Sequence, residues 1–358
     1  MAFRPARTHS GNVSIVEVAA LANVSTATVS RVLSGQRSKE DDIDRRVRKA
    51  ARKLHYSANF AASALRSAVT NTLGVVVQSL TTPFAHEFIS DLEPVANAHG
   101  LELLVAIGPT QEMRSIRVKA LMGRKIDGLI LLTGEQSNLD ETTVAATQQI
   151  PVVQISAQPA STKINWIGVD SSASMRLILK HLAAHNSTSV AFLGQPLEGQ
   201  VASALYTSFQ VLCQAMNTYT EPRWTTFGER SMRRGYHDTM MLFNAQHSRS
   251  ARTPNALICV GASVADGAVV ALSQLGFRVP EDVNIMCVDA EVSSRIGLSS
   301  LTSVSPPYDR IAQEAIRLAD GKSGPRHIAL PCRITQREST NTPRFGASDM
   351  AEIDNDSR

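Results

Sequence analysis

The chain has 358 residues, of which 43% are hydrophobic, and its formal net charge is +4. This length is too great for one typical domain and suffices for a small domain joined to a large one. No stretch approaches the roughly 20 apolar residues that a membrane-spanning helix requires, so no membrane partner is expected. No apolar run follows the basic N-terminal residues, so we expect no signal peptide and a cytoplasmic protein.

Positive charge is concentrated at the N-terminus. Residues 1–66 contain twelve Lys or Arg and five Asp or Glu, so this segment carries +7 and the remainder carries −3. A basic segment on a mildly acidic body indicates a polyanionic partner for the segment alone.

The four cysteines lie far apart and show no C-x-x-C spacing, as expected for reduced, buried thiols. Cys259 and Cys287 both fall in predicted strands, and a redox role for that pair is the alternative.

After a leader that is predicted to be disordered (residues 1–12), residues 14–33 predict two short helices joined by a tight turn. Ser14 and Glu17 form an S-x-x-E capping pattern. Asn23 interrupts the first helix, and Ser25 can cap a second helix that runs to about Leu33.

The second helix has an apolar face and a small polar face. Val24, Val29 and Val32 can pack on the first helix, which leaves four residues facing outward: Thr26, Ala27, Ser30 and Arg31. In a helix-turn-helix the N-terminal part of the second helix enters the DNA major groove, where small residues allow close approach and an arginine can bind guanine. Two ordinary core helices are the alternative interpretation.

The string VSTATVSRVL (residues 24–33) resembles the DNA-binding headpiece of the lactose-repressor (LacI/GalR) family. Ile43, Val47, Ala50 and Leu54 predict a third helix, whose exposed face carries six cations. That face is either simply solvated or in contact with DNA phosphates. Phosphate contacts fix the position of a protein on the duplex without distinguishing base sequences. The family usually has a capping Ser or Thr where Glu40 stands, so Ser38 with Asp41 is predicted to cap this helix instead.

Residues 56–66, YSANFAASALR, match the family's hinge pattern at Tyr56, Asn59, Ala62 and Leu65. The resemblance implies a short helix that becomes ordered when two subunits lie side by side on the operator. Leu65 corresponds to the leucine wedged into the minor groove, which would bend the DNA. A plain alanine-rich linker is the alternative. We therefore assign residues 13–58 to the headpiece and 59–70 to the hinge and linker.

From residue 71 onward, short apolar runs alternate with helical stretches, which implies parallel strands with crossover helices. The first set of strands is predicted at 73–77, 101–107, 128–132 and 152–156, and the second set at 167–169, 190–193, 256–260 and 283–288. The fold class is therefore α/β: a small all-α headpiece plus two Rossmann-like subdomains, which resemble the periplasmic-binding-protein type. The chain is expected to cross back between subdomains from about Leu301.

The predicted boundaries within residues 71–340 are about 71–166 plus 304–327 for one subdomain and 167–303 plus 328–340 for the other. The tail, residues 341–358, is polar and predicted to be disordered. It lacks a leucine heptad, which favours a homodimer over a tetramer.

Ligands in such folds bind beyond the carboxyl ends of the strands. The effector-binding candidates are Ser79, Phe84, Ser156, Asp170, Arg230 and Asp289. The resemblance implies that Phe84 stacks on a ligand ring. Asp170 and Asp289 either accept from sugar hydroxyls or cap helices and tie down loops.

Three departures from the family's pattern concern this cleft. Leu205 stands where the family usually has an arginine that anchors sugar hydroxyls or carboxylates, and Gly261-Ala262 replaces its Asn-Asp pair. These losses argue against a standard sugar effector. Arg230 lies where the family often has an aromatic wall and can restore a charge; a cleft that has lost ligand binding is the alternative.

Enzyme functions find no support in the sequence. There is no G-x-G-x-x-G, so no dinucleotide cofactor is expected, and the segment from Gly261 departs from a nucleophile elbow. His181 and His185 lack the glutamate and third ligand of a zinc protease, so they are predicted to be surface residues and no metal is expected.

The sequence thus predicts a cytoplasmic, homodimeric transcriptional repressor that binds a pseudo-palindromic, double-stranded operator and a small-molecule effector, expected to be a sugar or sugar acid. The alternatives are an effector-independent repressor and a sugar-binding module without DNA function. The predicted DNA-binding residues are Ser14, Ser25, Thr26, Ala27, Thr28, Ser30, Arg31, Ser34, Asn59, Ala62 and Leu65.

Overall fold

The computed structural model describes residues 14–33, 41–54, 56, 69–134, 139–198, 200–244, 252–288, 300–322 and 324–340. They form two compact units, with the division between Thr70 and Asn71. Several predicted features lie outside the described residues: the leader, Ser34, the hinge with Asn59, Ala62 and Leu65, Asp289, and the tail.

Three helices make up the described part of the first unit: α1 (Ile15–Ala22), α2 (Thr26–Leu33) and α3 (Asp42–Lys53). The predicted capping box begins α1, because the Glu17 N–H donates to Ser14 Oγ (3.4 Å) and the Ser14 N–H donates to Glu17 Oε2 (2.6 Å). Helix α1 ends at Asn23, whose φ of 53° is left-handed. Asparagine tolerates that conformation better than most residues, and the predicted turn is confirmed.

One small apolar core holds these helices together. Val18 from α1, Val29 and Val32 from α2, and Val47 from α3 are each at most 1% exposed. Val24, in the turn, packs against the same cluster. The third helix therefore covers apolar faces that two short helices could not bury alone.

Helix α3 begins with a carboxylate cap. Asp41 is itself the N-cap, and its Oδ1 accepts from the Asp44 N–H at 3.0 Å. Asp41 belongs to the predicted pair, whereas Ser38 lies outside the described residues. A carboxylate next to the first turn both satisfies an N–H and interacts favourably with the helix dipole.

The described residues from Asn71 onward form twelve strands and eight α-helices. The strands are β1 (Thr72–Val77), β2 (Glu102–Ile107), β3 (Gly128–Gly134), β4 (Val152–Ser156), β5 (Asn165–Val169), β6 (Val190–Gly194), β7 (Thr225–Phe227), β8 (Ala256–Val260), β9 (Asn284–Val288), β10 (Thr302–Ser305), β11 (His327–Leu330) and β12 (Arg333–Thr335). The helices are α4 (Pro83–Ala98), α5 (Gln111–Met122), α6 (Glu141–Thr147), α7 (Ser171–Ala184), α8 (Gln200–Ala215), α9 (Met232–Phe243), α10 (Ala262–Gln274) and α11 (Tyr308–Ala319).

The strands form two six-stranded sheets. The first has the order β11-β5-β4-β3-β1-β2 and is parallel throughout. The second has the order β12-β10-β9-β8-β6-β7 and is parallel except for β12, which runs antiparallel to β10. The predicted α/β class with two Rossmann-like subdomains is confirmed.

Apolar cores cover both faces of each sheet, as the alternation of side chains along a strand requires. In the first sheet, Val75 and Val77 face the core under α4 and α11, whereas Val76 faces the core under α5 and α6. In the second sheet, Ile258 faces α7 and α8, and Cys259 faces α9 and α10. Continuous apolar runs, as the sequence shows here, are what such doubly covered parallel strands need.

The chain passes between the two sheets three times: from β5 into α7, from β10 into α11, and from β11 into β12. The predicted return crossing near Leu301 therefore exists, although β10 still belongs to the second sheet. The sequence predicts that the run 167–169 belongs to the second set of strands, but β5 pairs with β4 and β11 in the first sheet. The short loop between β4 and β5 brings β5 back beside its predecessor, so the boundary falls after Val169.

None of the described helices is by itself long and apolar enough to cross a membrane.

Candidate functional site

Helix α2 exposes the face that the sequence predicts. Thr26, Ala27, Ser30 and Arg31 are exposed, whereas Val29 is buried in the helical core. The Arg31 Nε donates to the carbonyl of Ala27 at 3.4 Å, so its guanidinium lies along the helix beside the small side chains. The result is a shallow polar surface that ends in a cation.

The first turn of α2 is fixed by its cap. The Thr28 N–H donates to Ser25 Oγ at 3.2 Å, and the hydroxyls of Ser25 and Thr28 lie 2.9 Å apart. This is the predicted cap, and it leaves the remaining N–H groups of the first turn at the helix end, where phosphate oxygens bind favourably.

Helix α3 carries a row of exposed cations. Arg46 and Arg48 pair with acids one turn earlier, Asp42 at 3.2 Å and Asp44 at 2.8 Å. A second group of exposed cations forms no ion pair with any described residue: Arg45, Lys49, Arg52 and Lys53. This second group is available to a polyanion.

The second unit contains a cavity of about 330 Å³ between its two sheets, at the carboxyl ends of the strands. Four predicted effector residues line it: Ser79, Phe84, Ser156 and Arg230. Phe84 lies in the first turn of α4, and its ring meets the edge of Tyr308 at 5.3 Å between centroids. The ring is thereby held at the cavity wall.

Asp170 does not line the cavity. Its Oδ1 accepts from the Ala173 N–H at 2.8 Å, so it caps α7. The alternative that the sequence left open, a helix cap, is the one the structure takes. Asp170 is thus a residue of the crossing between β5 and α7, where an N-terminal N–H needs a partner.

Several hydroxyls at the cavity wall are already bonded to protein. Ser156 Oγ donates to the carbonyl of Gln158 at 2.7 Å and accepts from Trp166 Nε1 at 3.1 Å. Ser174 Oγ donates to the carbonyl of Asp170 at 2.6 Å and accepts from the Cys332 N–H at 3.0 Å. These side chains stabilise the wall more than they offer atoms to a ligand.

Arg230 is the only charged side chain among the described residues that line the cavity. Its Nε donates to Gln195 Oε1 at 2.9 Å. Its aliphatic stem lies over Gly261, where an added Cβ would be 3.3 Å from Arg230 Cδ. Gly261 also has φ +108°, which side-chain-bearing residues rarely adopt. Arg230 therefore covers Gly261, the glycine that stands where the family usually has a polar residue.

A second arginine, which the sequence reasoning missed, holds the loop that carries Arg230. Arg234 is only 9% exposed and pairs with Asp238 at 2.8 Å. Its terminal nitrogens donate to the carbonyl of Gly194 at 2.7 Å and to Thr226 Oγ1 at 2.9 Å. It ties α9 to the ends of β6 and β7. No sequence signal distinguished it from its exposed neighbour Arg233.

Strand β10, helix α11 and the last two crossings also contribute to the cavity wall, through Val304, Pro306, Ile311 and Cys332. These residues were not predicted, because no strand periodicity marks them. A general signal was available: segments that cross between two subdomains border the cleft between them.

The two predicted strand cysteines lie side by side, since Cys259 pairs with Cys287 across β8 and β9. Both are buried, and burial raises the pKa of the Cys259 thiol to about 12. The thiolate that redox chemistry requires is therefore strongly disfavoured at this position.

Comparison with known proteins identifies both units. Residues 14–59 match the model of the lacI family of bacterial regulatory proteins, and residues 179–340 match a periplasmic binding protein-like domain. A relative named HTH-type transcriptional repressor PurR, from Histophilus somni, is 25% identical over 306 residues, which are 85% of this chain and 90% of the relative. Its namesake from Haemophilus influenzae strain Rd is 27% identical over 310 residues, with 85% and 89% coverage.

The fold is similar to that of the lac repressor. The structure of the lac repressor dimer bound to operator and the anti-inducer ONPF matches with a TM-score of 0.70 and 22% identity, over 92% of this chain and 99% of that one. A complex of the transcriptional regulator CelR with cellobiose matches with a TM-score of 0.59 and 20% identity, over 91% and 99%.

The chain belongs to the LacI/GalR family of DNA-binding transcriptional regulators. The resemblance found in residues 24–33 is confirmed over both units. In this LacI-family protein the cleft differs from the family's pattern, because Leu205 lies in the apolar wall at 8% exposure. The positive charge comes from Arg230 instead.

Proposed function

We propose that this protein is a cytoplasmic repressor that binds a pseudo-palindromic operator as a homodimer. The observation that carries the proposal is the exposed face of α2, small residues followed by Arg31, on a helix fixed by its cap and core. A helix of this kind enters the major groove with its N-terminal residues against base edges. Thr26, Ala27 and Arg31 read bases in this proposal.

The other predicted contacts have different tasks. Ser14, Ser25, Thr28, Ser30, Ser34 and Asn59 hold the DNA backbone, and the cations of α3 add phosphate contacts that set register. Ala62 and Leu65 contact DNA from the hinge, where Leu65 opens the central base step. A dimer presents two α2 helices about one turn of DNA apart, which accounts for a pseudo-palindromic site.

The cavity is the effector site in this proposal, and its position supports regulation. Each sheet supplies one wall, and three crossings connect the two, so a ligand bound between them changes how the subdomains are angled. A ligand shifts DNA affinity only through its differential affinity for the two arrangements. An open cavity of about 330 Å³, within the usual size range of ligand sites, favours this mechanism over an effector-independent repressor.

The test is selection of genomic fragments by the full-length protein, followed by fluorescence anisotropy on the selected duplex. We expect specific binding that weakens steeply with salt, since phosphate neutralisation releases counterions. Ala27→Glu places a carboxylate against the base edges and should abolish binding. Ala183→Glu, on an exposed position of α7, is the matched control and should bind normally. No preference for any duplex over competitor would contradict the proposal.

A further inference from the structure

We infer that the second unit has a DNA-contact surface of its own, in which exposed cations at one edge of the first sheet bind phosphates of the duplex. The inference rests on the proposed function, in which the first unit and the hinge bind an operator. It goes further because it assigns a phosphate-binding surface to the unit that contains the cavity. We call this surface the amino edge, and it consists of the segments that lead into β2, β3, β4, β5 and β11: residues 98–102, 119–128, 147–152, 161–165 and 320–327.

The amino edge is cationic, although the second unit as a whole is acidic. The unit carries −3, whereas the segments of the amino edge contain six Lys or Arg and three Asp or Glu, which gives +3 and leaves −6 for the rest of the unit. The acids are Glu102, Asp127 and Asp320, and the cations, all of them exposed, are Lys119, Arg124, Lys125, Lys163, Lys322 and Arg326. Positive charge concentrated at one place on an acidic body indicates an anionic partner at that place.

Most of these cations are not neutralised by the protein itself. Lys322 pairs with Asp320 at 2.5 Å. Four others form no ion pair with any residue in the described part of the chain: Lys119, Arg124, Lys163 and Arg326. Their charges are therefore available to phosphate groups, as are those of the second group of cations on α3.

Hydrogen bonds hold the cationic segments against the sheet. The Asp127 N–H donates to the carbonyl of Thr72 at 2.8 Å, and Asp127 Oδ2 accepts from the Thr72 N–H at 3.2 Å, which fixes the segment that carries Arg124. The Arg326 N–H donates to Asn165 Oδ1 at 3.0 Å. The backbone at these positions is thus fixed, while the exposed side chains can reach a phosphate.

The chain enters the second unit at the amino edge, since Val69 and Thr70 lead directly into β1. In the proposed function Leu65 lies at the central base step, and Thr72 follows it by seven residues, which limits their separation to about 25 Å. Neighbouring strands lie about 4.8 Å apart, so the edge of a six-stranded sheet is about 24 Å long. Connectivity therefore keeps this edge closer to the duplex than the carboxyl edge, where the cavity lies.

A competing role for some of these cations is local. Lys119 lies in the last turn of α5, and Arg124 follows soon after, where a cation interacts favourably with the helix dipole. That role affects stability and leaves DNA binding unchanged. Lys163 and Arg326 lie in loops, outside the last turn of any described helix, and the dipole effect falls off within one turn. This second pair therefore gives the sharper test.

The experiment is a salt titration of the full-length protein on a duplex that extends beyond the operator on both sides, and on random DNA. Lys163→Gln/Arg326→Gln should reduce the salt dependence of log K by about 1.8 on both duplexes, which corresponds to two phosphate contacts. The affinity advantage of the wild type should then shrink about tenfold between about 50 and 200 mM salt. The matched control Arg176→Gln/Lys180→Gln removes the same charge from exposed positions of α7 and should keep the wild-type slope.

Both double variants should keep the wild-type melting temperature. If Lys163→Gln/Arg326→Gln melts lower, the charge-preserving variant Lys163→Arg/Arg326→Lys decides: a wild-type slope supports a phosphate contact, and a slope that stays low overturns it.

The inference is also overturned if Lys163→Gln/Arg326→Gln keeps the wild-type slope, or if the α7 control lowers the slope equally, since the effect would then come from net charge alone. Either result, obtained with a protein that prefers its operator, leaves the proposed function standing. Conversely, a protein that prefers no duplex, but whose salt dependence falls in the amino-edge variant alone, overturns the proposed operator binding and leaves the amino edge as a DNA-contact surface.

Discussion

A single cation ends the outward face of α2. Arg31 lies four residues after Ala27 on the same side of the helix, and its Nε donates to that residue's carbonyl. Its neighbours on this face are small, so the guanidinium is the group that extends furthest toward a base edge. Discrimination by this helix should therefore depend on one residue more than on any other.

Arg31→Ala should cost about 1–3 kcal/mol at one base pair of each half-site, because a bidentate contact to guanine is lost. The measurement is fluorescence anisotropy on the operator and on single-base variants of it. Arg176→Ala, an exposed arginine of α7, is the control. An equal loss on operator and random DNA would assign Arg31 to the phosphates instead.

At the scale of elements, α3 divides its cations into two groups. Arg46 and Arg48 are paired with acids of the preceding turn, and Arg45 and Arg52 are not paired with any described residue. Exposed ion pairs contribute little to stability. Because Arg45 and Arg52 form no ion pair with a described residue, replacing them with neutral residues should change the free energy of unfolding little.

The double variant Arg45→Gln/Arg52→Gln should bind all duplexes more weakly and reduce the salt dependence of log K by about 0.9 for each phosphate contact removed. A salt titration on the operator and on random DNA measures this. Unchanged slopes on both would mean that this face of α3 is simply solvated.

A histidine pair links α7 to the last described turn of the chain. His181 Nε2 lies 2.8 Å from Thr340 Oγ1, and its ring lies 4.3 Å from that of His185. Both rings are partly exposed, and each makes a hydrogen bond to the protein. Burial and the neighbouring His185 lower the pKa of His181 from about 6.5 to about 4.

This lowered pKa makes stability depend on pH. The unfolded chain binds a proton at His181 near pH 6.5 and the folded chain only near pH 4, so the free energy of unfolding should fall as pH decreases through that window. Melting temperatures from pH 7.5 to pH 4 measure this. His181→Gln, which keeps a partner for Thr340 but does not titrate, should show a shallower fall, whereas the exposed control His86→Gln should follow the wild type.

The long elements were predictable and the short ones were not. Apolar runs of five or six residues, such as 73–77 and 256–260, gave strands because doubly covered parallel strands require them. Strands β7 and β12 have only three residues each, and β11 alternates exposed and partly buried positions at a sheet edge, so no run marks them. Their positions depend on the crossings, which are contacts between distant parts of the chain.

The side chains of the cavity could also be predicted only in part from the sequence. Phe84 and Arg230 line the cavity, a position that follows from the sequence because the carboxyl ends of parallel strands meet at one edge. Asp170 was ambiguous, because a carboxylate after a strand serves a ligand or a helix cap equally well. The role of Arg234 required the three-dimensional positions of Gly194 and Thr226, which lie 40 and 8 residues away along the chain.

At the scale of the whole molecule, two compact units with separate cores follow one another along the chain. The first unit buries only a small cluster around residues such as Val18 and Val47, and the second contains four larger or equal clusters. Three segments of the chain connect the two subdomains of the second unit. We therefore expect the second unit to unfold as one cooperative step.

Val47→Ala, which removes two methyl groups from a fully buried site, should destabilise the first unit by about 2 kcal/mol and leave the main transition of the second unit in place. Val75 is also fully buried, and the matched variant Val75→Ala should destabilise the second unit and leave the transition of the first unit in place. Scanning calorimetry together with DNA and ligand titrations measures both. A shift of both transitions by either variant would contradict two separate cores.

Cys332 lies between β11 and β12 and lines the cavity at partial exposure, whereas Cys213, Cys259 and Cys287 are buried. Burial raises the pKa of the Cys213 and Cys259 thiols to about 12, which suppresses their attack on electrophiles. A thiol-reactive dye should consequently label the unmodified protein first at Cys332, where the chain crosses from β11 to β12. A fluorescent dye on Cys332 should therefore report movement of the two subdomains, without the introduction of a new cysteine.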